Sequence, residues 1–201
     1  MGLLVLWTLL IAFGYIFLKK DIFRLMRIVR EPTMLAFATA SSESAYPKTM
    51  EALDKFGVPK RITSFVLPLG YSFNLDGSMM YMAFAVLFIA QAYNIDLSFS
   101  QQALILFTLM ITSKGIAGVS RASIVVIAST LAMFKLPEAG ILLILAIDQF
   151  LDMGRTATNV IGNSIATAVI ARTEGNKDES TEQEGIMVNN IPPANQLADN
   201  S

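Results

Sequence analysis

The chain has 201 residues, of which 54% are hydrophobic and 15% charged, with a mean hydropathy of +0.55. That composition is too apolar for an ordinary soluble domain. There is no cysteine and no histidine, which excludes a disulfide framework, a thiolate metal site, and a serine-hydrolase triad or metallohydrolase centre built on imidazole.

Net charge is −1, and its distribution is uneven. Lys19, Lys20, Arg24, Arg27 and Arg30 cluster after the first apolar segment, and Lys48, Lys55, Lys60 and Arg61 cluster further on. Arg172 and Lys177 follow the last one, whereas the connections 92–101 and 134–139 together hold only Lys135. By the positive-inside rule the basic connections face the cytoplasm.

In chain order, GLLVLWTLLIAFGYIFL at 2–18 lacks a polar start and a small-residue cleavage site. It predicts a transmembrane helix within 1–20, an uncleaved signal anchor being the alternative. Residues 21–57 predict a re-entrant hairpin: a helix over 21–39, the small-residue run ATASSESAYP closed by Pro47, and a more polar helix over 48–57. Residues 58–94 predict a transmembrane helix broken by NLDGS at 74–78, with Asp76 as a fixed negative charge. Gly70 and Gly77 are expected to take unusual dihedrals there.

Residues 95–135 predict a second hairpin, with apolar arms at 102–112 and 124–134 around SKGIAGVSRAS. Each arm is too short to span a bilayer alone. Residues 136–172 predict a helix carrying Asp148, Asp152, Arg155, Asn159 and Asn163 at spacings of 4, 3, 4 and 4. Residues three and four apart share a helix face, so these five form one polar stripe. Ionisable groups at such depth mark a substrate or ion pathway. The tail 173–201 has no apolar period and is expected to be a disordered cytoplasmic extension.

The fold class expected is therefore an all-α membrane protein with two re-entrant hairpins and broken helices. Each hairpin tip is followed by a proline and then a helix with Leu-Asp-Gly or Leu-Asp-Met-Gly, a loose inverted repeat. Unwound backbone is tolerated in a bilayer only when buried or lining a cavity, where its carbonyls and N–H groups hold ions. Arg155 can grip a carboxylate with its planar fork, and Asp152, one turn earlier, suits an ammonium. An intramembrane salt bridge is the structural alternative for that pair. With Asn159 as an amide donor, the set fits an acidic amino acid.

NLDGS, SSESAYP, SKGIAGV and DQFLDMGRTATNVIGN together resemble the dicarboxylate/amino acid:cation symporters, over roughly residues 2–175. The resemblance implies a homotrimer in a bacterial inner membrane, multi-pass, with a scaffold and a mobile transport domain. It implies a small-molecule substrate (L-glutamate or L-aspartate), surrounding lipid, no nucleic acid and no cofactor beyond the coupling ion, H+ or Na+. This chain would correspond to the C-terminal transport portion, and the expectation is of a fragment whose earlier helices are missing. Enzymatic activity is not expected.

Carried over by position, Asp152 would bind the amino group and Arg155 the side-chain carboxylate. Asn159 and the backbone near Ser42 would hold the α-carboxylate, and Thr156, Ser78 and Val119 would line the pocket. Gly70, Asn74, Asn159 and Asn163 would form one cation site. Ser72, Ser113, Lys114 and Ile116 match a second, and Asn74 and Asp76 part of a third, with sodium the candidate metal. Three departures bear on coupling. Asn163 stands where sodium-coupled members carry Asp, and Lys114 and Ile116 occupy the second site, so protons are favoured over sodium. Arg121 on hairpin 2 is expected to replace an arginine that some members carry at the position of Ala40. Asp152 favours glutamate or aspartate over succinate or malate. The alternatives are a C4-dicarboxylate carrier and a truncated membrane fragment that does not transport.

Overall fold

The computed structural model describes residues 2–114 and 120–189, and side chains as far as residue 175. The described residues fold entirely as helices and their connections. Helix α1 (Gly2–Leu18) leads into α2 (Asp21–Ile28), α3 (Arg30–Thr39) and α4 (Ser42–Phe56). Then come α5 (Lys60–Phe73), α6 (Asp76–Ala92), α7 (Phe99–Thr112) and α8 (Ala122–Met133). A short 3-10 turn (Glu138–Gly140) opens the last helix, α9 (Ile141–Asn189).

The helix stops follow local chemistry. Ala40 turns left-handed (φ 49°) at the end of α3, and Ser41 then caps α4 by accepting from the Ser44 N–H at 3.3 Å. Gly57 ends α4 at φ 107°, a conformation that costs glycine little. Ser98 and Gln101 form a reciprocal capping box that starts α7.

Several boundaries differ from the sequence reading. The helix expected over 21–39 is divided at Val29 (φ −78°, ψ 0°). Pro47 does not close the first tip but lies inside α4, which begins at Ser42. The break in the long apolar segment is confined to Asn74 and Leu75, so Asp76, Gly77 and Ser78 form the first turn of α6. Gly70 and Gly77 are helical, and among the described glycines only Gly57 has positive φ. α9 continues to Asn189, past the end expected at 172.

Helix α9 runs through two apolar clusters. Ile144, in its first part, packs with Met82, Val86, Ile89, Ile105, Leu109, Ile127 and Leu131 from α6, α7 and α8. Further along, Ile161, Ile165 and Ala168 pack with Ile22, Leu25, Leu53 and Leu67 from α2, α4 and α5. A smaller contact of Ala36, Ala45 and Val160 joins α3 and α4 to α9. The polar stripe lies along α9 between these apolar anchors, and α6 packs against it. Trp7 pins α1 to the same helix by donating its Nε1–H to Thr158 Oγ1 at 2.7 Å.

Candidate functional site

All five stripe residues are buried: Asp148 is 1% exposed, Asp152 0%, Arg155 3%, Asn159 2% and Asn163 1%. Desolvation on this scale is tolerable only where partners are supplied, and the partners come from the break between α5 and α6, from α6 itself and from the residues that lead into α8.

The first turn of α6 docks directly on the stripe. A Cβ placed on Gly77 would lie 2.8 Å from Thr158 Cβ and against the main-chain oxygen of Arg155, so the glycine is needed for close approach. Asn159 exploits that approach with both ends of its amide. Its Oδ1 accepts from the N–H groups of Gly77 (2.9 Å) and Ser78 (3.3 Å), two donors a helix start leaves unpaired. Its Nδ2 donates to Ser78 Oγ at 2.8 Å, and Arg155 Nη1 donates to the same oxygen at 2.8 Å. Ser78, Asn159 and Arg155 are thus one hydrogen-bonded unit.

Arg155 Nη2 also meets Asp152 Oδ1 as an ion pair one turn apart on α9, without hydrogen-bond alignment. Arg155 Nε and Nη2 have no hydrogen-bond acceptor among the described residues. The other Asp152 oxygen, Oδ2, accepts from Ser120 Oγ at 2.9 Å and from the Arg121 N–H at 2.8 Å. Thr156 Oγ1 turns back to donate to the Asp152 carbonyl at 2.7 Å.

A second group forms one to two turns further along α9. Asn163 presses on Gly70, where a Cβ would collide with its amide oxygen. The Asn74 side chain bridges Asn163, at 3.1 Å, and Asp76. With its NH2 turned toward the carboxylate it donates to both Asp76 oxygens at 3.0 and 3.1 Å, the orientation an acceptor-only carboxylate favours, and its oxygen then accepts at 3.1 Å from an Asn163 amide turned to present its NH2. Asp76 Oδ2 faces Gly162 on α9, 3.2 Å from where a Cβ would stand. Gly70, Asn74, Asp76 and Asn163 therefore meet in space.

The remaining expected residues divide. Ser42 is buried at the start of α4, whose Ala45 packs on Val160 of α9. Ser113 is buried but turns its hydroxyl toward Met110 O (3.3 Å) and Met79 Sδ (4.0 Å). Ser72 is half-buried on the last turn of α5. Val119, with Gly115, Ile116 and Gly118, lies outside the described residues.

Four partners were not legible from the spacing alone. Tyr81 on α6 donates its phenol to the buried Asp148, with which Arg121 Nε also pairs at 3.8 Å. Ser120 serves Asp152. Lys114 Nζ donates to the carbonyl of Phe73, at the end of α5, at 2.6 Å. The one signal that could have found the phenol is spacing: Tyr81 lies three residues after Ser78, so the two share a face of α6.

Comparison with known proteins gives the chain a family. The family model described as the sodium:dicarboxylate symporter family matches residues 1–173. The chain belongs to that family. Its members are transporters, and cation-coupled transport of dicarboxylic compounds is the family's business. A proton/sodium-glutamate symport protein of Bacillus caldotenax is 52% identical over 159 residues, covering 79% of this chain and 38% of that protein. A proton/glutamate-aspartate symporter of Escherichia coli is 51% identical over 150 residues, covering 75% and 34%. C4-dicarboxylate transport protein 1 of Mesorhizobium japonicum is 46% identical over 161 residues, covering 80% and 34%. The chain therefore spans little more than a third of the length of these symporters.

Proposed function

We propose that this chain is the substrate-binding portion of a symporter that moves L-glutamate or L-aspartate with protons. The observation that carries this reading is Arg155: a guanidinium 3% exposed, with Nε and Nη2 lacking hydrogen-bond acceptors and a carboxylate one turn away. A buried planar fork with unspent donors suits a carboxylate, and Asp152 beside it suits an ammonium. Asn159 and Ser78 extend the polar surface toward a second carboxylate. The names of the 52% and 51% identical relatives fit the same substrates.

The membrane setting rests on the outer surface and on the long apolar stretch. Lys60–Ala92 is 33 residues and contains an 18-residue window of mean hydropathy 1.5, long and apolar enough to cross a bilayer. Gly2–Leu18, Phe99–Thr112 and Ala122–Met133 are shorter apolar helices, the last two suiting arms of a re-entrant hairpin. Large apolar side chains face outward along α1 (Leu4, Leu9, Ile16), α7 (Phe99, Phe107, Ile111) and α9 (Leu142, Phe150). Such a surface suits lipid and the remaining helices of a longer, trimeric transporter in a bacterial inner membrane.

Proton coupling is favoured over sodium by two residues. Asn163 adds no charge to the group at Gly70, Asn74 and Asp76, where a sodium ion would be expected to draw on carboxylates. Lys114 already brings an ammonium to the Phe73 carbonyl at the helix break. A tethered cation there opposes a second one.

A second reading, carriage of C4-dicarboxylates, is favoured by one observation: Asp152 Oδ2 already has two donors from within the protein. A ligand without an ammonium would leave that carboxylate paired.

The test is calorimetric binding of L-aspartate and succinate to the purified, detergent-solubilised chain, with and without sodium, at two pH values. Aspartate binding that tightens at the lower pH and ignores sodium is the expected result. Binding of succinate alone would favour the C4-dicarboxylate reading, and binding of neither would reject an acidic-solute site in this chain.

A further inference from the structure

Asp152 takes both hydrogen bonds to one carboxylate oxygen from an element other than α5 and α6. Ser120 and Arg121 sit in the turn that leads into α8, and both donors reach the same oxygen, Oδ2. Two hydrogen bonds occupy the two lone pairs a carboxylate oxygen presents. Oδ1 is engaged by Arg155. Oδ1 has that ion pair and no hydrogen bond among the described residues, so it is at Oδ2 that an arriving ammonium must displace a donor already there.

The two donors are not equally displaceable. The Arg121 N–H belongs to a main chain held at φ 63°, ψ 8°, where a non-glycine residue is strained and rests on its surroundings. Its own side chain is anchored at Asp148, with Nε 3.8 Å from Oδ2 of that buried carboxylate. Moving the N–H means moving the start of α8. Ser120 is exposed, and its hydroxyl swings away by rotation about one bond. Once turned, the same oxygen can accept from the incoming ammonium.

We infer that Ser120 is a specificity-determining residue: its hydroxyl is an exchangeable donor for Asp152, yielding to the amino group of an acidic amino acid and staying in place for a dicarboxylate. The inference rests on the substrate reading above and extends it. It gives one site two ligand classes. With an amino acid bound, the ammonium pairs Asp152; with a dicarboxylate bound, Ser120 does. Either way Oδ2 of Asp152 keeps two donors, and losing one is the penalty that would otherwise weigh against succinate. That relatives named for glutamate and for C4-dicarboxylates match this chain at 52% and 46% identity is consistent with a small change separating the two.

The test is the ratio of L-aspartate to succinate affinity, measured by calorimetry on the full chain in detergent for the wild type, Ser120→Ala and Ser120→Thr. Removing the hydroxyl takes the same hydrogen bond from the ligand-free protein and from the succinate complex, so succinate affinity should hold, whereas aspartate no longer has to displace a donor and should bind more tightly. The ratio should therefore rise by about tenfold or more in Ser120→Ala. Ser120→Thr keeps the hydroxyl and should restore the wild-type ratio, which a general loosening of the turn would not allow. A Ser120→Ala protein in which both affinities fall together, or the ratio stays put, overturns the exchange while leaving the acidic-solute site standing. So does a wild type that binds aspartate and not succinate. A wild type that binds neither overturns the substrate reading itself, and this inference with it.

Discussion

Gly77 meets the main chain of Arg155 so closely that α6 and α9 touch backbone to backbone, with Thr158 Cβ 2.8 Å from where a Gly77 Cβ would stand. That approach lets Asn159 reach the N–H groups of Gly77 and Ser78. Gly77→Ala should force the first turn of α6 outward. Overpacking of this kind costs about 1–3 kcal/mol, and here it also pulls the 2.9 Å bond from Gly77 to Asn159 apart. The expected outcome is a lower unfolding temperature together with loss of aspartate binding. The chain's single tryptophan, Trp7, reports on unfolding because it is bonded to Thr158 beside the contact.

The Tyr81–Asp148 pair gives a prediction about stability alone. Asp148 is 1% exposed, Oδ1 is served by the Tyr81 phenol, and Oδ2 has no hydrogen-bond partner among the described residues. Arg121, at 3.8 Å, is a half-exposed counter-charge and compensates little. Tyr81→Phe should therefore destabilise the protein by about 1–3 kcal/mol, the cost of a buried acceptor losing its donor. In the background of Asp148→Leu the same change should cost much less, because no carboxylate remains to be satisfied. Chemical unfolding in detergent of the four proteins of this cycle checks it. Equal effects in both backgrounds would mean the phenol stabilises by packing.

What was legible in the sequence was whatever one helix repeats on itself. Asp148, Asp152, Arg155, Asn159 and Asn163 could be aligned from their spacing, and all five are buried together. NLDGS at 74–78 interrupts an apolar run, and the break falls at its first two residues, Asn74 and Leu75. What was not legible was which residue of another helix answers each polar group. Tyr81, Ser120 and Lys114 lie 67, 32 and 41 positions from the residues they serve. No periodicity encodes such distances. The glycines show the same limit: Gly70 and Gly77 were marked as special, but their use is close contact with α9 and not an unusual dihedral.

Asn163 provides a test of coupling. It is buried against Gly70 and joined through Asn74 to Asp76. Asn163→Asp would place a second carboxylate near Asp76 in a dry setting, where like charges repel. In sodium-free buffer the variant should lose about 1 kcal/mol or more, roughly 2–4 °C in unfolding temperature for a chain of this size. Sodium should restore that loss, because an ion bound only by the folded state stabilises it. The wild type should respond less. Trp7 fluorescence melts across a sodium series measure both, and equal sodium responses would count against a cation site at this position.

Arg155 separates charge from geometry. Its Nη1 donates to Ser78 at 2.8 Å while Nη2 pairs with Asp152, so the guanidinium spans two partners and keeps further donors for a ligand. Arg155→Lys retains a cation to pair with Asp152 but has no planar fork. The variant should fold, and its aspartate affinity should fall by about ten- to a hundredfold, the value of one or more charge-assisted hydrogen bonds. Arg155→Ala removes the charge as well and leaves Asp152 buried with only the Ser120 and Arg121 donors. Breaking a buried pair from one side costs about 3–5 kcal/mol, a large part of the stability of most domains. Binding calorimetry and thermal melts on both variants should therefore split: lysine loses the ligand and keeps the fold, whereas alanine loses both. If lysine binds aspartate as the wild type does, Arg155 acts on the site as a bare charge and the bidentate grip is wrong.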